Sequence, residues 1–354
     1  MPFSIAAFPI VRVNASDTLV RFMPSDAHVN ASFSRAQLLG YVSLCLIWGS
    51  TWLAIRIVVH DVPPLRAAAL RFLFAGSALL VIAFLQKRHW PSGPAQWNTI
   101  FVLSFTIMAL PYGLLFWAEQ HVTSSMTAVL YSAMPLAVAL LTPAMTQHKV
   151  PRRAVYAMVV AFGGLLTLFY ADLSTSRRAL LGGIAVLGSM VLSSWSVVYA
   201  KQRLREVDSV VATGLQLLLG SAALLWGTWV LEAHRHAVWT NQALVAMAFL
   251  TIFGSAAAFV IYFWLLKKLQ PYQLSTISLI VPLIALLEGL LAGERIPLLM
   301  LVAVMVVLAS VRSVLRAEVE KGPDGSSILM LEDKAHGADV DSRSSPVAAR
   351  QRLK

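Results

Sequence analysis

The chain has 354 residues, of which 58% are hydrophobic and only 13% are charged, and its mean hydropathy is +0.72. A soluble domain averages about 25% charged residues, so the composition excludes an ordinary soluble protein. Its apolar runs are continuous and reach the roughly 20 residues that cross the hydrocarbon core, which excludes the short alternating strands of an outer-membrane barrel. The net charge of +11 fits basic loops beside a lipid bilayer, so we expect no nucleic-acid partner.

Both ends of the chain lack the apolar character of its middle. Residues 1–36 are mixed and polar, do not read as a signal peptide, and are predicted to form a cytoplasmic N-terminal extension. Residues 316–354 are charged and rich in Gly, Ser and Pro. Such a composition buries too little apolar surface to fold, so we predict a disordered cytoplasmic tail.

The apolar segments between these ends predict an all-α polytopic membrane protein with ten transmembrane helices. Each segment is long enough to cross the bilayer as a helix. The predicted spans are 37–59, 66–86, 97–118, 122–146, 152–170, 180–200, 209–231, 241–266, 272–293 and 297–315.

The positive charges near the span ends predict the orientation of the chain. With the N-terminus inside, the inside segments hold fifteen Lys and Arg residues and the outside loops hold five. Because an excess of Lys and Arg marks cytoplasmic loops, both termini are predicted to lie in the cytoplasm.

An internal repeat is visible when the chain is shifted by 147 residues. The shift places the Phe-Trp pair at 116–117 on the Phe-Trp pair at 263–264, and it places Pro135 on Pro282. Two halves of five spans each have an odd number of spans, so they must insert in opposite orientations. Inverted repeats of this kind are common in transporters, with the substrate site near the midplane of the bilayer.

Two long segments resemble a known family. The segment Trp48 to Leu80, WGSTWLAIRIVVHDVPPLRAAALRFLFAGSALL, resembles the opening repeat of the EamA-type family in the drug/metabolite transporter superfamily. The segment Tyr262 to Ile296, YFWLLKKLQPYQLSTISLIVPLIALLEGLLAGERI, resembles the second-half signature of that family. The resemblance covers about residues 37–315 and implies ten helices in two five-helix inverted repeats, 37–170 and 180–315, around a central cavity with alternating access.

The resemblance also implies a function. Members of the family commonly export amino acids, metabolites or toxic compounds, so a small-molecule substrate and the bacterial inner (plasma) membrane are expected. One position departs from the family pattern, because the first half has Gln147 or His148 where the second half has Glu294. A role that needs the two halves to be equivalent at this position is therefore in doubt.

Two arginines lie inside predicted spans, where a charge is costly and usually faces a cavity or a partner. Arg56 is near the outer end of the first span, and Arg71 is in the outer third of the second. In one interpretation both reach the outer interface or pair with Asp61. In the other, one of them meets an anionic group of the substrate, which suits the guanidinium fork. We predict a cavity-rim or substrate role for Arg56 and a structural or gating role for Arg71.

Glu288 is an acidic residue in the middle of an apolar span. A bare carboxylate in hydrocarbon is expensive, so this side chain is expected to be protonated or paired. It is predicted to be the proton-coupling site, and the alternative is a structural acid hydrogen-bonded between helices. Glu119 and His121 follow the third span and are expected to be solvated.

Proline and glycine residues predict points of bending and close packing. Pro135 and Pro282 occupy matched positions within spans, where a freed carbonyl is tolerable only beside a neighbour or a wet cavity, and they are the predicted hinge. Gly289 and Gly293 form a GxxxG pair. Such a pair packs helices within a monomer or forms a homodimer face, so the chain is predicted to be a monomer or a homodimer.

A transport cavity is mostly apolar with a few placed polar groups. Aromatic and polar-tipped residues at a suitable depth are the candidates to line it, and their alternative role is in the interfacial belt or in helix packing. The predicted substrate-cavity residues are Trp48, Ser50, Thr51, Arg56, Arg71, Tyr112, Trp117, Tyr131, Tyr262, Trp264 and Ser278.

The function that follows is secondary transport. The sequence has no apparent catalytic cluster, no P-loop, and no spacing that predicts a metal site or a cofactor. We therefore predict export of small metabolites, amino acids or drugs by proton antiport and alternating access, with protons as the second partner. The alternatives are an uncoupled facilitator or importer, and a membrane scaffold or enzyme with a transporter-like fold.

Overall fold

The structure is a computed structural model that describes residues 34–168, 176–291 and 298–316, without the side chains of 124–125, 167–168 and 285–304. Most of the predicted N-terminal extension and C-terminal tail therefore lies outside the described residues. Glu294 and Gly293 also lie outside them, and so do the side chains of Glu288 and Gly289.

All regular structure in the described ranges is helical, as the composition predicts. The helices are α1 (Arg35–Asp61), α2 (Pro64–Leu85), α3 (Pro94–Ala118), α4 (Ser124–Tyr131), α5 (Met134–Met145), α6 (Arg152–Leu168), α7 (Arg177–Arg203), α8 (Ser209–Leu231), α9 (Asn241–Lys268), α10 (Pro271–Ser275), α11 (Ile277–Leu291) and α12 (Leu298–Leu315).

Helix length and surface character identify a multi-pass membrane protein. Within the described residues, seven helical stretches are long and apolar enough to cross a bilayer, namely α1, α2, α3, Met126–Met145, α7, α8 and α9. Large apolar side chains on several helices are more than 70% exposed, including Phe84, Leu140 and Trp229. Such a surface suits hydrocarbon rather than water. The remaining helices are shorter, and the number of ten spans stays a prediction.

The helices begin where the sequence supplies a cap. Ser34 and Gln37 form a capping box at the start of α1, and the side chains of Thr123, Ser176 and Thr240 accept backbone N–H groups at the starts of α4, α7 and α9. These oxygens partner donors that lack an acceptor in the first helical turn. Local chemistry therefore fixes the starts of these helices.

Helices α2 and α8 approach each other closely through glycine. A Cβ atom on Gly76 would lie 2.9 Å from the backbone nitrogen of Leu218 and 3.0 Å from the carbonyl oxygen of Gly214. Beside this contact, the hydroxyl of Ser221 donates to the carbonyl of Ala69 at 2.9 Å. Small residues at such a crossing let two backbones pack directly, so α2 and α8 join the two halves of the chain.

Two long helices contain a π-helical segment. In α3 the segment is Ser104–Ala109, and in α9 it is Ile252–Ala257. A π segment shifts the backbone hydrogen bonds from i−4 to i−5 and often marks a functional position. Both segments lie in the third long helix of their half of the chain, and neither is evident from apolar periodicity.

Two of the predicted continuous spans are interrupted. The span predicted at 122–146 is broken at 132–133, between α4 and α5, and the span predicted at 272–293 is broken at Thr276. The two prolines expected at matched positions differ in their surroundings. Pro135 is the second residue of α5, where no N–H donor is needed, whereas Pro282 lies inside α11.

A carboxylate from the second half of the chain caps the start of α2. The two oxygens of the buried Glu232 accept the backbone N–H groups of Leu65 and Arg66, each at 3.0 Å. The N-terminus of a helix carries a partial positive charge, so the start of α2 stabilises this carboxylate. The contact ties the end of α8 to α2.

At the opposite ends of the same two helices, Asp208 caps α8 and pairs with Arg88. One carboxylate oxygen accepts the N–H groups of Val210 and Val211, and the other is 2.9 Å from Nη1 of Arg88. Burial raises the pKa of the Asp208 carboxyl, but the hydrogen bonds from Val211, Arg88 and Val210 outweigh it and hold the pKa below its usual range.

Replacing Gly76 by alanine should destabilise the protein because the new methyl group meets backbone atoms, which cannot rotate away. We expect Gly76→Ala to lower the free energy of unfolding by about 1–3 kcal/mol, as other overpacked sites do. Gly163→Ala, where the added Cβ atom meets nothing within 4 Å, is the matched control. Thermal unfolding of the purified protein in detergent measures both, and an equal response of the two variants would contradict the close α2–α8 contact.

Asp208→Asn should keep the cap of α8 but lose the ion pair with Arg88. Because the pKa of Asp208 is lower in the folded state, its stabilisation is complete above the unfolded-state value of about 3.9 and is lost as the pH falls through the folded-state value. The wild type should therefore unfold at a slightly higher temperature than Asp208→Asn at pH 7, and the difference should shrink only as the pH falls below about 4, towards the folded-state pKa. A constant difference across that range would exclude this carboxylate as its source.

Candidate functional site

A cavity of about 90 Å³ lies among helices from both halves of the chain. This volume admits several water molecules or one small organic group. Its walls are mostly aromatic and aliphatic, with a few hydroxyl groups and one guanidinium. The lining residues are Trp48, Thr51, Trp52, Ile55, Arg71, Ile107, Tyr112, Leu115, Ala128, Tyr131, Met134, Ser193, Val197, Phe259, Tyr262, Leu274, Ser275, Ile277, Ser278 and Val281.

The structure brings seven of the eleven predicted cavity residues to this lining. They are Trp48, Thr51, Arg71, Tyr112, Tyr131, Tyr262 and Ser278. Ser50, Arg56, Trp117 and Trp264 do not line the cavity.

The three uncharged residues outside the lining have other contacts. Ser50 donates its hydroxyl to the carbonyl of Leu46 in its own helix. Trp117 is 37% exposed, and the side chain of Trp264 lies 5.2 Å from the ammonium of Lys268. Trp264 also packs against Gly40 of α1, where an added Cβ atom would lie 3.3 Å from the tryptophan ring, so it takes the helix-packing role that was the alternative for aromatic residues of this kind.

Arg56 binds the end of α3 rather than the cavity. Its Nη1 donates to the carbonyl oxygen of Val122 at 2.9 Å and to that of Glu119 at 3.3 Å. These carbonyls follow the C-terminus of α3, where a cation is favoured by the helix dipole. The expected pairing of Arg56 with Asp61 is not formed, because Asp61 contacts His60 and Thr240 instead. Glu119, which was expected to be solvated, is only 1% exposed.

Arg71 is buried at the cavity wall, with 1% of its surface exposed. Its Nε donates to the hydroxyl of Ser255 at 2.8 Å, and its Nη2 donates to the carbonyl of Gly254 at 3.1 Å. No carboxylate of the described residues forms an ion pair with it. The interpretation in which Arg71 reaches the outer interface or pairs with Asp61 is therefore wrong, and its structural or gating role stays a prediction.

Aromatic rings surround this guanidinium. Its central carbon lies 5.1 Å from the ring centre of Phe72, 5.3 Å from that of Tyr112 and 5.5 Å from that of Phe116. A cation over the face of an aromatic ring is attracted to it, and the attraction grows when water is absent. The rings thus compensate part of the cost of burying the charge.

The π segment of α9 supplies both hydrogen-bond acceptors of Arg71. The hydroxyl of Ser255 donates to the carbonyl of Leu250, five residues earlier, and the same oxygen accepts a hydrogen bond from Nε of Arg71. Gly254 offers its carbonyl because the backbone hydrogen bonds are displaced in this segment. A Cβ atom at Gly254 would lie 3.0 Å from Thr51 and 3.5 Å from Nη2 of Arg71, so glycine lets the two helices approach here.

Three buried polar atoms of the lining have no hydrogen-bond partner among the described residues. They are Nε1 of Trp48, Nη1 of Arg71 and the hydroxyl of Tyr262. The ring centres of Trp48 and Tyr262 are 5.2 Å apart. Because a buried polar group without a partner is rare and costly, these atoms mark the part of the cavity that is built to receive a polar group.

Sequence reasoning missed several lining residues that helical spacing could have found. Phe259 lies three residues before Tyr262, and its ring contacts those of Trp48, Phe72 and Tyr112 at centre distances of 5.8, 6.4 and 5.9 Å. Residues three or four apart share a helix face, so Phe259 follows from Tyr262. Trp52 follows from Trp48 and Ser275 from Ser278 by the same rule, whereas Ser193 had no such signal.

The described residues contain no group of three His, Cys, Asp or Glu side chains that could hold a metal ion. Glu288, the predicted proton-coupling residue, belongs to α11, and its side chain lies outside the described residues. Ser278 and Val281 of the same helix line the cavity.

The membrane helices and the internal cavity with its buried cation are typical of a membrane transporter. Comparison with known proteins gives the particular family. The chain matches the EamA-like transporter family over residues 36–170 and 180–316. It therefore belongs to that family.

Curated relatives agree with this assignment. The chain is 30% identical over 256 residues to the "Uncharacterized transporter YoaV" of Bacillus subtilis (strain 168), which covers 71% of this chain and 87% of the relative. It is 29% identical over 259 residues to "Protein PagO" of Salmonella typhimurium, and the match covers 72% of this chain and 85% of the relative. A solved crystal structure superposes with a TM-score of 0.67 at 18% identity, over 80% of this chain and 99% of that one, and it supports the fold.

Removing the hydroxyl of Ser255 should destabilise the protein because Nε of Arg71 would lose its acceptor. A hydrogen bond to a charged group contributes about 1.5–3 kcal/mol, so we expect Ser255→Ala to lower the free energy of unfolding by that amount. Ser194→Ala is the matched control, because Ser194 is equally buried and its hydroxyl bonds within its own helix. Thermal unfolding in detergent measures both variants. Equal losses would show that the Ser255–Arg71 bond does not contribute specifically.

Proposed function

We propose that the protein is a secondary active transporter that exports small organic molecules across the bacterial inner membrane in exchange for protons. The single observation that carries the proposal is the cavity, which combines apolar walls with unpartnered polar atoms and draws residues from both halves of the chain. Small-molecule sites are concave and mostly apolar, with a few polar groups placed for specificity. The names of the relatives as transporters support the same class.

Within this proposal the chain forms ten spans in two five-helix inverted repeats, 37–170 and 180–315. Two correspondences support the repeat. The third long helix of each half contains a π segment, and the next span of each half is interrupted, between α4 and α5 and between α10 and α11. Alternating access then consists of one repeat rocking against the other around the cavity, with Pro135 and Pro282 as hinge residues.

Polar contacts beyond the cavity are the candidates to break during such a motion. Nζ of Lys201 donates to the carbonyls of Leu266, Lys267 and Leu269 at the C-terminus of α9, at 2.7, 3.2 and 2.9 Å. Elsewhere, Arg56 of α1 binds the carbonyls after α3. Each contact joins two helices through one flexible side chain, so it can be released without unfolding either helix.

The proposal also includes the orientation of the chain in the membrane and the coupling of transport to protons. The distribution of Lys and Arg supports cytoplasmic termini. Glu288 is the proposed proton site because an acid within an apolar span is a functional candidate by default. An uncoupled facilitator or importer would not need Glu288 for transport, and an importer would also move its substrate in the opposite direction. A membrane scaffold or enzyme would move no substrate.

Metabolite profiling of the medium around expressing cells identifies a transported compound, and vesicles then test its coupling to protons. The wild type should enrich the compound outside, and a pH gradient should drive its transport in vesicles. At an equal membrane level, Glu288→Gln should transport the compound at least about tenfold more slowly under the pH gradient, because glutamine cannot release a proton. Glu206→Gln, which changes an exposed acid in the loop between α7 and α8, is the matched control.

Each other outcome decides between the alternatives. If Glu288→Gln transports like the wild type, uncoupled facilitation replaces antiport. If no compound moves across a broad panel, the scaffold or enzyme alternative replaces transport.

A further inference from the structure

We infer that the cavity is an anion site and that its ligands are small aromatic or apolar monocarboxylates without an ammonium group. The inference rests on the proposed function, because it names the substrate class of the same cavity. It narrows the range of expected substrates, which were small metabolites, amino acids or drugs.

The first argument is charge. Arg71 carries the one formal charge among the described lining residues, and no described carboxylate pairs with it. A guanidinium remains protonated in proteins, and a buried charge without a counter-ion is costly. The surrounding rings stabilise the cation only in part. A bound anion would neutralise it, so the cavity favours a negatively charged ligand.

The second argument is the balance of donors and acceptors. The unpartnered atoms of the lining are Nη1 of Arg71, Nε1 of Trp48 and the hydroxyl of Tyr262. Arginine and the indole nitrogen can only donate, and the phenol can also donate. The ligand must therefore offer acceptors. A carboxylate has two oxygens with about four acceptor positions, which is enough for all three donors.

The third argument concerns the rest of the ligand. Trp52, Tyr131 and Phe259 supply flat apolar walls, which suit an aromatic or short aliphatic body. The described lining holds no Asp or Glu side chain, so an α-ammonium group would meet no carboxylate among the described residues and would lie beside the guanidinium. Like charges placed together are disfavoured. A simple carboxylic acid anion is therefore preferred to the amino acid of the same shape.

Three probes of one shape and different charge test the inference. They are 3-phenylpropanoate, which is an anion, 3-phenylpropanamide, which is neutral, and phenylalanine, which is a zwitterion. Calorimetric titration of the full chain in lipid nanodiscs should give the anion an affinity at least about tenfold above the other two, the worth of a charge-assisted hydrogen bond.

Tyr262→Phe tests the site without disturbing the fold. The hydroxyl has no described partner, so its removal should leave thermal stability unchanged. It should weaken binding of 3-phenylpropanoate by about tenfold and leave 3-phenylpropanamide nearly unaffected. Trp48→Phe should act in the same direction. Tyr156→Phe removes the hydroxyl from an exposed tyrosine outside the cavity and should change neither thermal stability nor the binding of 3-phenylpropanoate.

The outcomes separate this inference from the proposed function. Equal binding of the three probes, preferred binding of phenylalanine, or an unchanged affinity in Tyr262→Phe would each overturn the anion site, even if transport of other compounds is found. Anion-selective binding that Tyr262→Phe weakens, together with no flux in vesicles, would support the site and overturn the transport proposal alone.

Discussion

The buried guanidinium of Arg71 is the interaction on which the centre of the molecule depends. Hydrocarbon supplies no water, so every polar group at depth must be satisfied by the protein. Arg71 of α2 therefore requires the π segment of α9 for its two acceptors and the rings of α2 and α3 for its charge. These requirements hold α2, α3 and α9 together around the guanidinium. Nη1 of Arg71, which has no partner among the described residues, remains as a hydrogen-bond donor at the cavity.

The sequence predicts the helices well because their determinants are local. The apolar runs place the ends of helices such as α1 and α9 within a few residues of the structure, where Ser34 and Thr240 cap the helix starts. Most of the predicted cavity residues also reach the lining. A polar-tipped side chain within an apolar membrane helix is costly to expose to lipid, so it faces the protein interior. Trp48 and Tyr262 are of this kind, and they meet although they come from opposite halves of the chain.

What the sequence does not predict depends on neighbours from distant parts of the chain. Arg56 and Arg71 give the same signal, a charge within an apolar run, yet one binds the end of α3 and the other lines the cavity. Their different roles follow from the helix that packs against each. The π segment around Ser255 also has no periodic signature, because it adds one residue to a turn without changing the apolar pattern.

The cap that Glu232 provides to α2 has a consequence for how the protein is made. Its carboxylate accepts from Leu65, which precedes it by 167 residues. A ribosome therefore delivers α2 to the membrane long before it delivers the group that satisfies the first amides of that helix. Until then lipid headgroups, water or the insertion machinery must solvate those amides. The first half of the chain is thus an unfinished assembly intermediate, and its completion is timed by translation of the second half.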